Sequence, residues 1–228
     1  MVAQLYYITD RSQFPGDAGE QERRLLAKIA ESAAAGVDYI QLREKDLSMR
    51  ALEEMAGKAM AALRGSRTKL LINSRTDVVL ASGAQGVHLP ANDLPASEVR
   101  AIFSLACGDF ACEDSARGDR PVVTRPVIGV STHSLAEVAS AESHGADFAV
   151  FGPVFEKGST AHAEGLEQLR QTCHRAHAAS PPMPVFALGG ITLENAQQCM
   201  EAGAAGIAGI RLFQERDAHE VVKKLGAE

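Results

Sequence analysis

Three clusters of residues in this chain have types and spacings that could do chemistry. The first is Ser131-Thr132-His133-Ser134. An imidazole placed beside a substrate can take a proton and return it near neutral pH, a role worth about 10²- to 10⁴-fold in rate. Ser134 with Glu137 has the spacing of a capping box, which puts His133 just ahead of a helix start. A histidine with no role beyond preceding the cap has the same pattern. The second cluster is Gln41-Leu42-Arg43-Glu44-Lys45-Asp46. Strand alternation sends Gln41 and Arg43 to one face and Leu42 to the other. Arg43 and Lys45 could then hold a carboxylate or diphosphate, or be solvated or paired with the neighbouring acids, as strand-end charges usually are. The third is Leu188-Gly189-Gly190-Ile191-Thr192 together with Gly209-Ile210-Arg211. Glycines let backbone N–H groups approach an anion, and Arg211 could add a bidentate guanidinium. A tight turn and a surface charge would look the same in sequence. His144, His162, His174, His177 and His219 show no metal-ligand spacing and read as surface residues.

The elements that position these clusters alternate regularly. Candidate strands run from Leu5 to Thr9, Tyr39 to Arg43, Leu70 to Asn73, Gly86 to Leu89, Val127 to Val130, Phe148 to Gly152, Val185 to Leu188 and Ile207 to Ile210. Amphipathic stretches lie between them, from Glu20 to Ala35, Met49 to Leu63, Thr76 to Ser82, Ala96 to Leu105, Leu135 to His144, Leu166 to Ala179, Glu194 to Ala202, and finally Val221 to Leu225. Several end in glycine before the next strand, at Gly36, Gly83, Gly145 and Gly203, as left-handed helix caps require. Eight strands alternating with eight helices predict an α/β fold, a single-domain (β/α)8 TIM barrel over residues 1–228, with a doubly wound open sheet as the structural alternative. The stretch 106–126, rich in Gly, Asp and Arg, breaks the rhythm and reads as a loop insertion. In a barrel the residues after each strand converge on one mouth, so all three clusters would meet there.

Composition narrows the function classes. The chain has 228 residues, 46% hydrophobic, 20 Gly and 9 Pro, a balance that suits a packed globular chain rather than a disordered or collagen-like one. A formal charge of −6 lacks the basic footprint of a nucleic-acid binder, and no apolar run is long enough to span a membrane. A small-molecule ligand is expected. The cysteines at 107, 112, 173 and 199 show no Cys-x-x-Cys spacing, and Met1-Val2-Ala3-Gln4-Leu5 lacks the basic start of a secretory signal, so a reducing, cytoplasmic compartment is expected.

Seven segments in order carry a family resemblance: Ile8-Thr9-Asp10, residues 36–48 from Gly36 to Ser48, Gly86-Val87-His88-Leu89, Ile128 to Ser134, Gly145-Ala146-Asp147-Phe148, Gly152-Pro153-Val154-Phe155 and Leu188 to Thr192. Together they resemble the thiamin phosphate synthase/TenI family from about residue 5 to residue 213. The resemblance implies a barrel enzyme of thiamin biosynthesis acting on a phosphorylated thiazole. One branch couples a thiazole phosphate to a pyrimidine diphosphate with Mg²⁺; the TenI-like branch isomerises a carboxythiazole phosphate.

Synthases typically carry Asn-Asp after the third strand and Gly-Gln-x-Asp after the fourth, the two aspartates being Mg²⁺ ligands. This chain has Asn73-Ser74 and Pro90-Ala91-Asn92-Asp93, which keeps Asp93 and loses the other carboxylate. The Pro-Thr-x-Thr-Lys loop of synthases is replaced by Phe155-Glu156-Lys157-Gly158-Ser159-Thr160. TenI-like proteins resemble the chain at these points, in Leu89-Pro90 and Val154-Phe155-Glu156, and their active histidine matches His133. The resemblance therefore implies a tautomerase with His133, Arg43 and Lys45 as catalytic groups. Gln41, Asn73, Ser131, Lys157, Gly189, Gly190 and Arg211 would bind substrate, with no cofactor. The synthase, with Mg²⁺ on Asp93, is the alternative, and a non-catalytic thiazole-phosphate-binding protein is a third. Related barrels often associate, which leaves a homo-oligomer open.

Overall fold

Period-two alternation in short apolar strands determines how this chain folds. In the structure, a computed structural model, residues 3–108, 125–155 and 162–226 are described. Eight parallel strands, β1 (Gln4–Ile8), β2 (Tyr39–Leu42), β3 (Lys69–Asn73), β4 (Gly86–Leu89), β5 (Val127–Thr132), β6 (Phe148–Phe151), β7 (Val185–Ala187) and β8 (Gly206–Gly209), pair in sequence order. The barrel closes where β1 meets β8, with Gln4 opposite Gly206 and Tyr7 opposite Gly209. Around it lie α1 (Ala18–Ala35), α2 (Met49–Ala62), α3 (Thr76–Ser82), α4 (Ala96–Gly108), α5 (Leu135–Ser143), α6 (His162–His177), α7 (Ala196–Glu201), α8 (Arg211–Gln214) and α9 (Ala218–Leu225). This is the TIM-barrel architecture expected from the alternation. No helix among the described residues is long and apolar enough to cross a membrane.

Each strand divides its side chains between two cores. Leu5, Tyr7, Ile40, Leu42, Leu70, Ile72, Val87 and Leu89 pack outward against the helices. Tyr6, Ile8, Leu71, Phe148, Val150, Phe186 and Ala208 fill the barrel itself. The helices return a matching face: α1 buries Leu25, Ile29, Ser32 and Ala33, begins on an Asp17 cap that accepts from Glu20 N–H, and ends at Gly36 with φ 95°. The other three expected glycine caps also have positive φ.

Inside the barrel, large side chains fill the space left by absent ones. Phe148 and Phe186 lie 4.9 Å apart between ring centroids, and Tyr6 meets Phe148 edge-on at 5.5 Å. A Cβ on Gly129 would fall 2.4 Å from Phe148 Cζ, and one on Gly206 2.6 Å from Phe186 Cε1. The inward positions of β5 and β8 must therefore stay small for the aromatic floor to form.

Three features depart from the sequence expectation. Strand β5 runs on to Thr132 rather than ending at Val130, because Ser131 and Thr132 continue the pairing with Val150 and Phe151. Ser131 is thus an inward strand residue and not part of a turn. The connection after β8 carries a short extra helix, α8, so among the described residues there are nine α-helices rather than eight. Arg11–Gln13 also forms a 3-10 turn directly after β1. Most of the expected insertion, residues 109–124, lies outside the described residues.

Gly129→Ala is expected to overpack the floor and destabilise the protein by about 1–3 kcal/mol, read as a lowered urea midpoint with unchanged m-value; an unaltered midpoint would show that the Phe148 ring can yield.

Candidate active site

The loop after β2 is held by a buried ion network. Thr9 Oγ1 donates to Glu44 Oε1 at 2.6 Å and accepts from the Arg43 backbone N–H at 3.0 Å. Arg11 donates to Glu44 Oε2 at 3.1 Å and forks onto both oxygens of Asp46 at 2.7 and 2.6 Å. Burial pushes the Glu44 carboxyl up, against the lowering effect of Thr9 and Arg11. The Arg11 guanidinium is strengthened first by Asp46 and then by Glu44. Arg11 thereby takes up both acids of the second cluster, and Arg43 and Lys45 make no ion pair among the described residues. Arg11, which lies outside the sequence clusters, removes the neighbouring acids as partners of Arg43 and Lys45, so of the alternatives open in the sequence local pairing is excluded, and solvated or ligand-binding cations are left.

Gln41 and Asn73 come together as neighbouring inward residues: Gln41 Nε2 donates to Asn73 Oδ1 at 2.8 Å, and Asn73 Nδ2 to Ser74 Oγ at 3.3 Å. Beside them on β4 is His88, fully buried, whose Nδ1 lies 3.1 Å from the Tyr6 hydroxyl and whose Nε2 lies 2.8 Å from Ser131 Oγ. Burial, with the charge of Arg43 adding to it, pushes the His88 imidazole down to about 3. The ring is neutral at physiological pH, and the barrel floor beneath the mouth holds no charge on this residue. Arg43 also acts on Asp10: burial alone would raise that carboxyl, but hydrogen bonds from Ser12 and Gln13 and the Arg43 charge leave it below the usual range.

His133 follows β5 and is exposed at the mouth. Its Nδ1 donates to the Gly152 carbonyl at 2.5 Å, which ties the ring to the end of β6. A carbonyl only accepts, so in the neutral ring the proton is on Nδ1 and Nε2 carries the free lone pair. Ser134 caps α5 as expected, accepting from Glu137 N–H, while Glu137 reaches back one residue further to accept from the His133 N–H at 2.6 Å. The capping box therefore anchors the backbone of His133 itself.

The glycine cluster and Arg211 line a cavity of about 410 Å³ with Thr192, Ile210, Glu215 and Arg216. Gly189 and Gly190 have φ 102° and 62°. A Cβ on Gly190 would meet the Phe155 carbonyl at 2.2 Å, so the turn is tight because the loop after β6 presses on it. Arg211 begins α8, in which the Phe213 and Gln214 amides donate to the Ile210 carbonyl at 3.1 and 3.0 Å. Gln214 fixes this helix: its side chain accepts from Asp10 N–H and Tyr7 O–H, both at 3.1 Å, and donates to the Asp10 carbonyl at 2.7 Å. The site sits after the last two strands, where barrels often bind phosphate.

The geometry can be set beside known proteins. The family model described as thiamine monophosphate synthase matches residues 5–108 and 114–213. The chain belongs to the thiamine monophosphate synthase family. It is similar to the "Putative thiamine-phosphate synthase" of Geobacter sulfurreducens, 40% identical over 208 residues that cover 90% of this chain and 83% of the relative. It is also similar to the "Putative thiamine-phosphate synthase 2" of Aquifex aeolicus, 37% identical over 216 residues, 94% of this chain and 99% of the other. A solved thiamine phosphate pyrophosphorylase from Pyrococcus furiosus superposes with TM-score 0.73 at 28% identity, covering 97% of this chain and 93% of that one. Membership makes the chain an enzyme of thiamin biosynthesis.

Synthases of this family are generally Mg²⁺-dependent, so the donor set is a direct test. Among the described residues no three His, Cys, Asp or Glu side chains gather as metal ligands. Asp93 lies in the loop after β4, with Oδ1 accepting from Leu94 N–H at 2.8 Å. Ser74 has φ 58°, a left-handed conformation that Asn and Asp tolerate better than most residues, and offers only a hydroxyl. Asp93 is then the one carboxylate of the pair that the resemblance implies, and a magnesium ion here would have to draw its other ligands from substrate phosphate and water. Lys157 and Glu156 lie outside the described residues. The other mouth residues expected from sequence, Gln41, Arg43, Asn73, Ser131 and His133, are on strands β2, β3 and β5 or directly after β2 and β5.

Unfolded imidazole titrates near 6.5 and folded His88 near about 3, so between these values the unfolded state holds more protons and stability falls as pH is lowered. The urea midpoint is expected to drop from about pH 6.5 to about pH 4 and to drop less steeply in His88→Asn; equal slopes would place a protonated imidazole in the folded barrel.

Proposed function

We propose that this enzyme is a TenI-like thiazole tautomerase that aromatises a carboxythiazole phosphate by proton transfer through His133. The observation that carries the reading is the His133 Nδ1–H bond to the Gly152 carbonyl. It holds one tautomer and leaves Nε2 as base, and it also stabilises the imidazolium that forms, because the same N–H bond persists in both states.

The substrate class follows from the family resemblance: a non-aromatic ring with an exocyclic double bond. His133 Nε2 takes the ring proton, and the electron pair of that C–H bond moves into the ring. The exocyclic π pair shifts to the exocyclic carbon, which takes the proton back from Nε2. Atoms and electrons balance with no co-reactant. Arg43 and Lys45, unpaired among the described residues, hold the ring carboxylate and offset charge that develops in the transition state. Gln41, Asn73 and Ser131 line the mouth beside them, and Gly189, Gly190 and Arg211 hold the phosphate in the cavity after β7 and β8.

His133→Gln is expected to lower isomerisation by about 10²-fold or more, while affinity for the aromatic carboxythiazole phosphate, measured by calorimetry, stays within a few-fold. Comparable turnover would remove His133 from the chemistry.

A second reading, thiamine-phosphate synthase, is favoured by the names of the relatives and by retention of Asp93. Purified protein given the pyrimidine diphosphate, the aromatic carboxythiazole phosphate and Mg²⁺ is expected to form no thiamin phosphate. Turnover matching a control synthase would establish the coupling reaction instead, and Arg43 and Lys45 would then be diphosphate binders.

A further inference from the structure

The hydroxyl of Tyr6 is buried beneath the mouth, and among the described residues its single hydrogen-bond partner is His88 Nδ1. Across the ring, His88 Nε2 meets Ser131 Oγ. A neutral imidazole has one N–H and one lone pair, so this three-residue chain can run in either of two directions. In the first, Tyr6 O–H donates to Nδ1 and Nε2–H donates to Ser131 Oγ, and every buried hydrogen has an acceptor. In the second, Nδ1–H donates to the Tyr6 oxygen and Ser131 O–H donates to Nε2. The Tyr6 hydrogen is then stranded below a floor whose neighbouring rings are Tyr39, Phe148 and Phe186. A buried donor without an acceptor carries its full desolvation cost, so the first direction wins. A doubly protonated ring would strand the same hydrogen, and the burial and nearby Arg43 charge that hold His88 near about 3 disfavour it as well.

We propose that His88 is a positioning residue: held by Tyr6 as the Nε2–H tautomer, it frees the hydroxyl hydrogen of Ser131 to donate to an acceptor oxygen of an anionic ligand in the mouth. Ser131 is half-buried at the inward end of β5, and Arg43 is near enough for its charge to act on His88. A donor and a cation therefore both stand in the neighbourhood of His88, where an acceptor oxygen of an anionic ligand would meet them. Identifying that oxygen as part of the thiazole carboxylate rests on the tautomerase reading; the direction of the hydrogen-bond chain does not.

The direct test is ring-nitrogen NMR of ¹⁵N-labelled wild-type protein at neutral pH. His88 is expected to carry its proton on Nε2, and a proton on Nδ1 overturns the proposal. The linkage test is calorimetric titration with the aromatic carboxythiazole phosphate. Ser131→Ala is expected to weaken binding by about tenfold to a hundredfold, the effect of one hydrogen bond to a charged acceptor. Tyr6→Phe, a change buried beneath the ligand, is expected to reproduce part of that loss, and the double variant to bind no more weakly than Ser131→Ala alone. Losses that multiply independently overturn the relay. If wild-type protein does not bind this ligand, the tautomerase reading falls, and the same variants are titrated with inorganic diphosphate. There the non-multiplying pattern supports the relay and independent losses overturn it.

Discussion

A closed eight-stranded barrel encloses a fixed interior that must be filled to close-packed density, and this constraint governs the rest of the structure. Four aromatic residues, Tyr6, Tyr39, Phe148 and Phe186, fill the lower interior as mutually tilted rings. They fit because the facing positions on β5 and β8 are Gly129 and Gly206, where no side chain competes for space. The His88 ring rests on this floor, 5.7 Å from Tyr6 and 6.5 Å from Phe148 between centroids. The polar level of the mouth begins there, so the height at which Gln41, Asn73 and Ser131 can meet a ligand is determined by aromatic packing below them.

Charge at the mouth follows the same economy of partners. An arginine and a lysine flanked in sequence by Glu44 and Asp46 would ordinarily be neutralised locally. Arg11, on the 3-10 turn after β1, takes both acids instead, and its buried geometry with Glu44 and Thr9 fastens the ends of β1 and β2 together. The positive potential on Arg43 and Lys45 thus depends on a third cation, the buried Arg11.

Much of this was legible in the sequence, and the reasons differ by residue. Alternation placed Gln41 on one face and Leu42 on the other, as the barrel shows, because a strand has a fixed period. The four glycine caps and the Ser134 cap were legible because each depends on a local backbone requirement. His133 was found from its spacing to a capping box, but its bond to Gly152 joins residues that follow different strands and has no local signal. His88 stood only within a segment that carries the family resemblance, without a role, since its partners Tyr6 and Ser131 are 82 and 43 residues away. Arg11 and Gln214 were missed for the same reason. The short helix α8 was absent from the reading because four residues are too few to show a helical period.

The contacts of Gln214 also bear on the order in which this enzyme is assembled. They join residues 204 positions apart, bridging the seam where the last strand meets the first. Contacts of such separation are entropically the most demanding to close. A chain with β1 to β6 paired and the seam still open already possesses Arg43 and His133, yet it lacks the helix that carries Arg211. The end of the mouth lined by Gly189, Gly190 and Arg211 is therefore completed only when the barrel shuts, and the phosphate binding proposed for it would be a property of the closed molecule alone.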